Sequence, residues 1–246
     1  MIFGLPLPVA AFLAAVVFVA AFVRGYSGFG YPVLVVAAGA LVTNPLALVP
    51  MAVLGDLVLC IQHARAARPD VRWPVVGRLA LGAAVGLLPG VWILSLVDET
   101  TARVFIGVMV LLACAVMLSG WTLPKGAGPA ATLGMGAVSG IAAPAGVAGP
   151  PAVMLVAALG LEPLAFRATL LAYFVALDTM TFGQFWLAGQ VDATVLGLTA
   201  LSVPLVVIGS ALGARRVMNA DPAGFRKVTI AALAVMAVIG LLRVWL

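Results

Sequence analysis

Apolar residues run along this chain in blocks too long and too uniform to be one face of a soluble helix. Eight blocks cover residues 8–42, 46–62, 73–96, 103–119, 130–160, 164–187, 193–213 and 225–245. About 20 residues rising 1.5 Å each cross a bilayer, so every block predicts membrane-embedded helix. The linkers "TNP", "HARAARPDVR", "VDETTA", "GWTLPKGAGPA", "GLEP", "AGQVD" and "ARRVMNADPAGF" are short, and their Gly and Pro residues punctuate helices. None is large enough to hold a soluble domain. The pattern predicts an all-α polytopic membrane protein with one integral membrane domain over 1–246.

Two blocks are interrupted by turn-forming residues. "RGYSGFGYP" stands at 24–32 inside the first block, and "SGIAAPAGVAGPP" at 139–151 inside the fifth. Continuous helix over residues 8–42 would be about 52 Å long, too long for one ordinary crossing.

The interruptions belong to an internal repeat. Gly86/Gly209, Gly90/Gly213, Asp98/Asp221 and Arg103/Arg226 match at a constant offset of 123. Asp56/Asp178 and Asp70/Asp192 match at 122, Ser27-Gly28/Ser139-Gly140 at 112, and Gly30/Gly149 and Pro32/Pro151 at 119. The order is preserved, and a seven-residue insertion in the second interruption accounts for the last jump. The repeats span 8–119 and 130–245.

Charge sets their relative orientation. Arg-rich linkers face the cytoplasm, which assigns loops 63–72 and 214–227 to that side. The first lies between the second and third spans of its repeat, the second between the third and fourth of the other. Equivalent loops then face opposite sides, so the repeats are expected to be inverted in topology. Inversion needs an odd number of crossings per half. Each half must therefore consist of a broken-helix hairpin, returning to the side it entered, plus three transmembrane helices. Both termini then lie outside, against which Arg243 argues.

Composition excludes several functions. Of the residues 65% are hydrophobic and 9% charged, with mean hydropathy +1.25, against roughly 25% charged in soluble domains. The net charge of +5 is spread over short loops, without a basic tail, and gives no reason to expect nucleic acid as a partner. GxSxG, HExxH and Walker motifs are missing, and acids are too few for a metal cage; neither an enzyme nor a cofactor or metal is expected. Cys60 and Cys114 lie in apolar runs and read as small core residues. His63 reads as a solvated residue of a basic loop. The N-terminal block lacks a basic leader and a clean cleavage site and reads as a mature first segment.

Unwound backbone in a membrane is tolerated where it is buried in protein or lines a cavity. A break exposes the N–H groups and positive dipole end of the following half-helix, an anion site. Paired breaks in inverted repeats point to a transporter's substrate site near the midplane. The candidates are Arg24, Ser27, Gly28, Gly30 and Tyr31 at the first tip, and Ser139, Gly146 and Gly149 at the second. Arg167, Thr169 and Tyr173 join them from the following helix, with Gln184 a weaker liner. Either Arg can present a fork to an oxyanion. Asp56 and Asp178 interrupt apolar runs at equivalent positions and read as carboxylates that couple a proton or cation, or that anchor the tips.

"FVRGYSGFGYPVLVVAAGAL" and "GAVSGIAAPAGVAGPPAVMLVAALGLEPLAFRATLLAYFVALD" resemble the sulfite exporter TauE/SafE family over essentially the whole chain. Family tips often carry three glycines together; Tyr31-Pro32 and Gly149-Pro150-Pro151 stand here instead. The resemblance implies a bacterial inner-membrane secondary transporter that exports a small sulfur oxyanion or organosulfonate, such as sulfite or sulfoacetate. The expected partners are a small anionic substrate and the lipid bilayer, with monomer and homo-oligomer both open. A proton- or cation-coupled importer of an organic anion, or a membrane assembly factor, are the alternatives.

Overall fold

A computed structural model describes residues 6–119, 123–124, 126–216, 230–231, 233–239 and 241–242. Among these, all regular structure is helical: α1 Leu7–Ser27, α2 Tyr31–Gly39, α3 Pro45–Ala67, α4 Trp73–Leu96, α5 Glu99–Leu118, α6 Pro129–Ala142, α7 Gly149–Ala158, α8 Pro163–Leu187 and α9 Ala193–Arg216. Single 3-10 turns occupy Arg68–Asp70 and Ala143–Ala145, and helix recurs within 230–242. Five helices, α1, α4, α5, α8 and α9, are long and apolar enough to cross a membrane. The protein is a polytopic membrane protein. Most of the expected 214–227 loop, its Asp221 and Arg226, and the chain termini with Arg243 lie outside the described residues.

Element boundaries follow local chemistry. The expected 46–62 span continues as helix to Ala67, so the residues read as the start of a loop, His63 among them, are helical. Alanine and arginine are strong helix formers, and the α-helix stops where Pro69 restricts Arg68. Helix α5 starts four residues before the expected 103. Asp98 caps it, its carboxylate accepting the Thr100 N–H.

Both interrupted blocks break at their glycines. Helix α1 ends on Gly28 at φ 84°, and Gly30 at φ 100° precedes α2, whose first turn holds Pro32. In the second block α6 passes through a 3-10 turn to Gly146 at φ 76°, and Pro150 and Pro151 open α7. Glycine adopts positive φ at little cost, and proline suits a helix's first turn.

The most extensive packing pairs α4 with α6 and α1 with α9, followed by α3 with α8. The first two contacts are backbone to backbone. A methyl on Gly82, Gly86 or Gly90 of α4 would collide with the Leu133, Ala137 or Ile141 carbonyl of α6, and one on Gly213 of α9 with the Phe22 carbonyl of α1. Small residues let membrane helices approach this closely, where dispersion rather than water drives association. Leu81, Val85, Leu88 and Trp92 of α4 remain 63–68% exposed on one side. An apolar face of that size fits lipid rather than water.

Candidate functional site

The site is built around one buried cation. Arg24, in the last turn of α1, is 3% exposed. Its Nε donates to Asp56 Oδ1 at 2.7 Å, and its Nη2 to Asp56 Oδ2 at 3.3 Å and Cys60 Sγ at 2.9 Å. Asp56 and Cys60 are one turn apart on α3 and share a helix face. The guanidinium carbon sits 4.9 Å from the centre of the Phe174 ring of α8, within cation–π range. Asp178 reaches the same cluster from α8: a carboxylate oxygen of Asp56, one of Asp178 and Cys60 Sγ lie within 4.8 Å of one another. Two carboxylates and a thiol are donors that suit a metal, but Arg24 donates to both Asp56 and Cys60. Arg24, Asp56 and Cys60 therefore form a hydrogen-bonded ion-pair network with Asp178 beside it. Arg24 Nη1 and Asp178 Oδ2 are buried without a hydrogen-bond partner among the described residues.

A cavity of about 290 Å³ lies between the two breaks. Phe29, Gly30 and Pro32 of the first tip and Gly146, Ala148, Gly149 and Pro150 of the second wall it, with Asp56, Phe174, Asp178 and Thr181 alongside. The tips touch: a methyl on Gly146 would lie 3.3 Å from the Pro32 carbonyl, and one on Gly149 3.4 Å from the Phe29 ring. Helix geometry leaves the first-turn N–H groups of α2 and α7 without intrahelical acceptors; proline removes three of them, at Pro32, Pro150 and Pro151.

A second cavity, of about 270 Å³, holds Arg24, Gly28, His63, Arg167 and Ser210 in its lining. Ser27 and Phe166 line both cavities. Arg167 donates from Nη2 to the Gly25 carbonyl at 3.3 Å, and His63 Nε2 lies 3.0 Å from Ser210 Oγ.

The residues singled out from sequence thus fall into three groups. Ser27, Gly30, Gly146, Gly149, Asp56 and Asp178 line the space between the tips, whereas Arg24, Gly28 and Arg167 line the second cavity with Ser27 again. Tyr31, Ser139, Thr169, Tyr173 and Gln184 line neither. Ser139 and Tyr173 form an internal brace: the Tyr173 hydroxyl donates to Ser139 Oγ at 2.7 Å, which donates to the Ala148 carbonyl at 2.7 Å. Thr169 Oγ1 accepts the Arg72 N–H at 3.1 Å. Tyr31 is fully buried against Gly55. The Ser27 hydroxyl lies 2.8 Å from the Val23 carbonyl and 2.7 Å from that of Phe29. With one proton to give, it pins the tip backbone.

Sequence reasoning missed Cys60, His63, Phe166, Thr181 and Ser210. The reading of His63 as a solvated loop residue is overturned: it is half-buried on α3 and bonded across to α9. The Asp56–Cys60 spacing of four was the one signal that could have placed Cys60 beside the buried carboxylate of Asp56.

The chain matches the sulfite exporter TauE/SafE family over residues 13–239. A relative from Cupriavidus necator, a probable sulfite/organosulfonate exporter TauE, is 28% identical over 219 residues, covering 84% of each chain. No solved structure matches. With a match running through both breaks and the helices that carry Arg24, Asp56 and Asp178, the chain belongs to the sulfite exporter TauE/SafE family of membrane transporters.

Proposed function

We propose that this protein exports a small sulfur oxyanion or organosulfonate, of the sulfite or sulfoacetate class, by alternating access around the cavity between its two glycine-rich breaks. The observation that carries this is the shared wall: both breaks, more than a hundred residues apart in sequence, border one space of about 290 Å³. Two helix N-termini aimed at one cavity supply N–H groups and positive dipole ends for an oxyanion. The exchanged packing of α1 on α9 and α4 on α6 supports two structurally equivalent repeats, since each hairpin's first arm rests on the corresponding helix of the other half; their inversion rests on the charge of the linkers. Alternating access is then rocking of one repeat against the other. An inside-negative potential drives an anion outward by about 2.3 kcal/mol per charge per 100 mV, so export needs no ATPase.

Asp56, held by Arg24, anchors the arm that leads to the first tip. Asp178 Oδ2 has no such partner, which favours a second reading, a cation- or proton-coupled carrier with Asp178 as the coupling group.

Thermal unfolding of the detergent-purified protein against sulfite, sulfoacetate, sulfate, thiosulfate, acetate and chloride selects the cargo. A specific ligand at a hundredfold excess over its dissociation constant stabilises by about 2.7 kcal/mol. Efflux of the selected anion from proteoliposomes, accelerated by an inside-negative potential, then establishes export. Stabilisation by none of the sulfur anions would overturn the assignment of cargo.

A further inference from the structure

The second cavity is not part of the space between the tips, and its chemistry is different. Its cationic and polar side chains come from four helices: Arg24 of α1, His63 of α3, Arg167 of α8 and Ser210 of α9. Arg24 spends Nε and Nη2 on Asp56 and Cys60, while Nη1 is shielded and without an acceptor among the described residues. A buried donor left unpaired is destabilising, the more so when it is charged. The pairing of Arg24, a residue of this lining, is therefore incomplete among the described residues. Arg167 gives one N–H to Gly25 and keeps further donors on its fork. The one carboxylate in the lining, Asp70, is exposed in the turn after α3, where water screens it.

We propose that this second cavity is a separate anion station, binding a small oxyanion or organosulfonate on Arg24, Arg167 and His63 before it passes to the space between the tips. The inference rests on the transport reading above. His63, Asp70 and Ala214 place the station at the ends of the two arginine-rich linkers, the face on which charge predicts the cytoplasm. Ser27 and Phe166, common to both linings, form the partition that the cargo crosses. At about 270 Å³ the space holds a small anion with part of its water, each water occupying about 30 Å³.

Cysteine labelling in the detergent-purified full chain tests the station without requiring transport. Ser210→Cys places a thiol in its wall, Ala214→Cys is a second position should the first disturb the fold, and Thr181→Cys reports on the space between the tips. The probes are methanethiosulfonate ethylsulfonate, itself an organosulfonate, and its trimethylammonium analogue; the chain without added cysteine gives the background rate. The anionic reagent is expected to label the Ser210→Cys or Ala214→Cys thiol about tenfold faster than the cationic one. Arg167→Gln abolishes that preference and Arg167→Lys restores it, while sulfoacetate protects the thiol. Equal rates for the two reagents, indifference to Arg167→Gln, or no labelling at either position would overturn the station. Anionic preference in a protein that effluxes no sulfur anion would sink the assignment of cargo and leave the station standing; efflux without preference would do the reverse.

Discussion

Arg24 and Asp56 form an ion pair of 2.7 Å whose side chains are 3% and 4% exposed. It ties α1, the arm leading into the first break, to α3, the helix that follows the hairpin. Burying two charges away from water is expensive, and their attraction offsets that cost only while both are present. Either Arg24→Gln or Asp56→Asn is expected to destabilise the protein by about 3–5 kcal/mol, since each leaves the other charge stranded. The Arg24→Gln/Asp56→Asn double variant is expected to be less destabilised than the sum of the two. Unfolding of all four proteins in detergent closes the cycle; strict additivity would mean that the pair does not interact.

Backbone contact between helices makes a different prediction. Gly213 faces the Phe22 carbonyl and Gly86 that of Ala137, and neither partner is a side chain that can swing away. Gly213→Ala and Gly86→Ala are each expected to cost about 1–3 kcal/mol from overpacking. Gly77 and Gly134 lie on the same α4 and α6 helices with no atom within 4 Å of an added methyl. Alanine there is expected to be neutral, or stabilising by up to about 1 kcal/mol through helix propensity. Equal losses at all four positions in thermal unfolding would refute the contact argument.

At the first tip space is not the constraint. A methyl on Gly28 or Gly30 meets nothing within 4 Å, but their φ angles of 84° and 100° disfavour any side chain. Alanine at either position is expected to cost about 1–2 kcal/mol. Asparagine, which tolerates left-handed backbone through local hydrogen bonds, is expected to cost less at Gly28. Unfolding midpoints rank the three residues, and an alanine variant as stable as wild type would show that the tip relaxes out of this conformation.

How much of this was legible beforehand depended on the range of the signal. Block lengths and hydropathy located the helices, with Trp73–Leu96 recovered to the residue, because crossing a bilayer is a local demand on composition. Gly28, Gly30 and Gly146 marked the breaks because positive φ is a local demand on a residue. Long-range placement was not legible to the same depth. Arg24 was read as a fork for an oxyanion beside the first tip; that it also pairs with Asp56 and Cys60 of α3 was not legible. Cys60 is the small core residue it was read as, though its contact with Arg24 went unseen, and His63, read as loop, is helical and touches Ser210. Helices that are apolar on every side carry no amphipathic face to fix their rotation, so which residue of α1 meets which residue of α3 or α9 is decided by packing. The second cavity, whose lining joins α1, α3, α8 and α9, was beyond reach for that reason.

The brace behind the second tip allows a sharper test of direction. Tyr173 donates to Ser139, and Ser139 donates to the Ala148 carbonyl next to Gly149. The two substitutions that break this chain are therefore unequal. Tyr173→Phe removes a donor and leaves Ser139 still bonded to Ala148, so it forfeits about 0.5–1.5 kcal/mol. Ser139→Ala strands the Tyr173 hydroxyl, on a residue with no exposed surface, and also frees the Ala148 carbonyl; it is expected to cost more than Tyr173→Phe, by about 1–3 kcal/mol for each group left unpaired. The combined Ser139→Ala/Tyr173→Phe variant removes the stranded hydroxyl and is expected to recover part of that loss. Because Ala148 borders the cavity between the tips, the single Ser139 variant is also expected to weaken anion-dependent stabilisation, while Tyr173→Phe retains it. If Tyr173→Phe were the more damaging change in unfolding and in anion binding, the hydroxyl of Tyr173 would have to act on something other than Ser139.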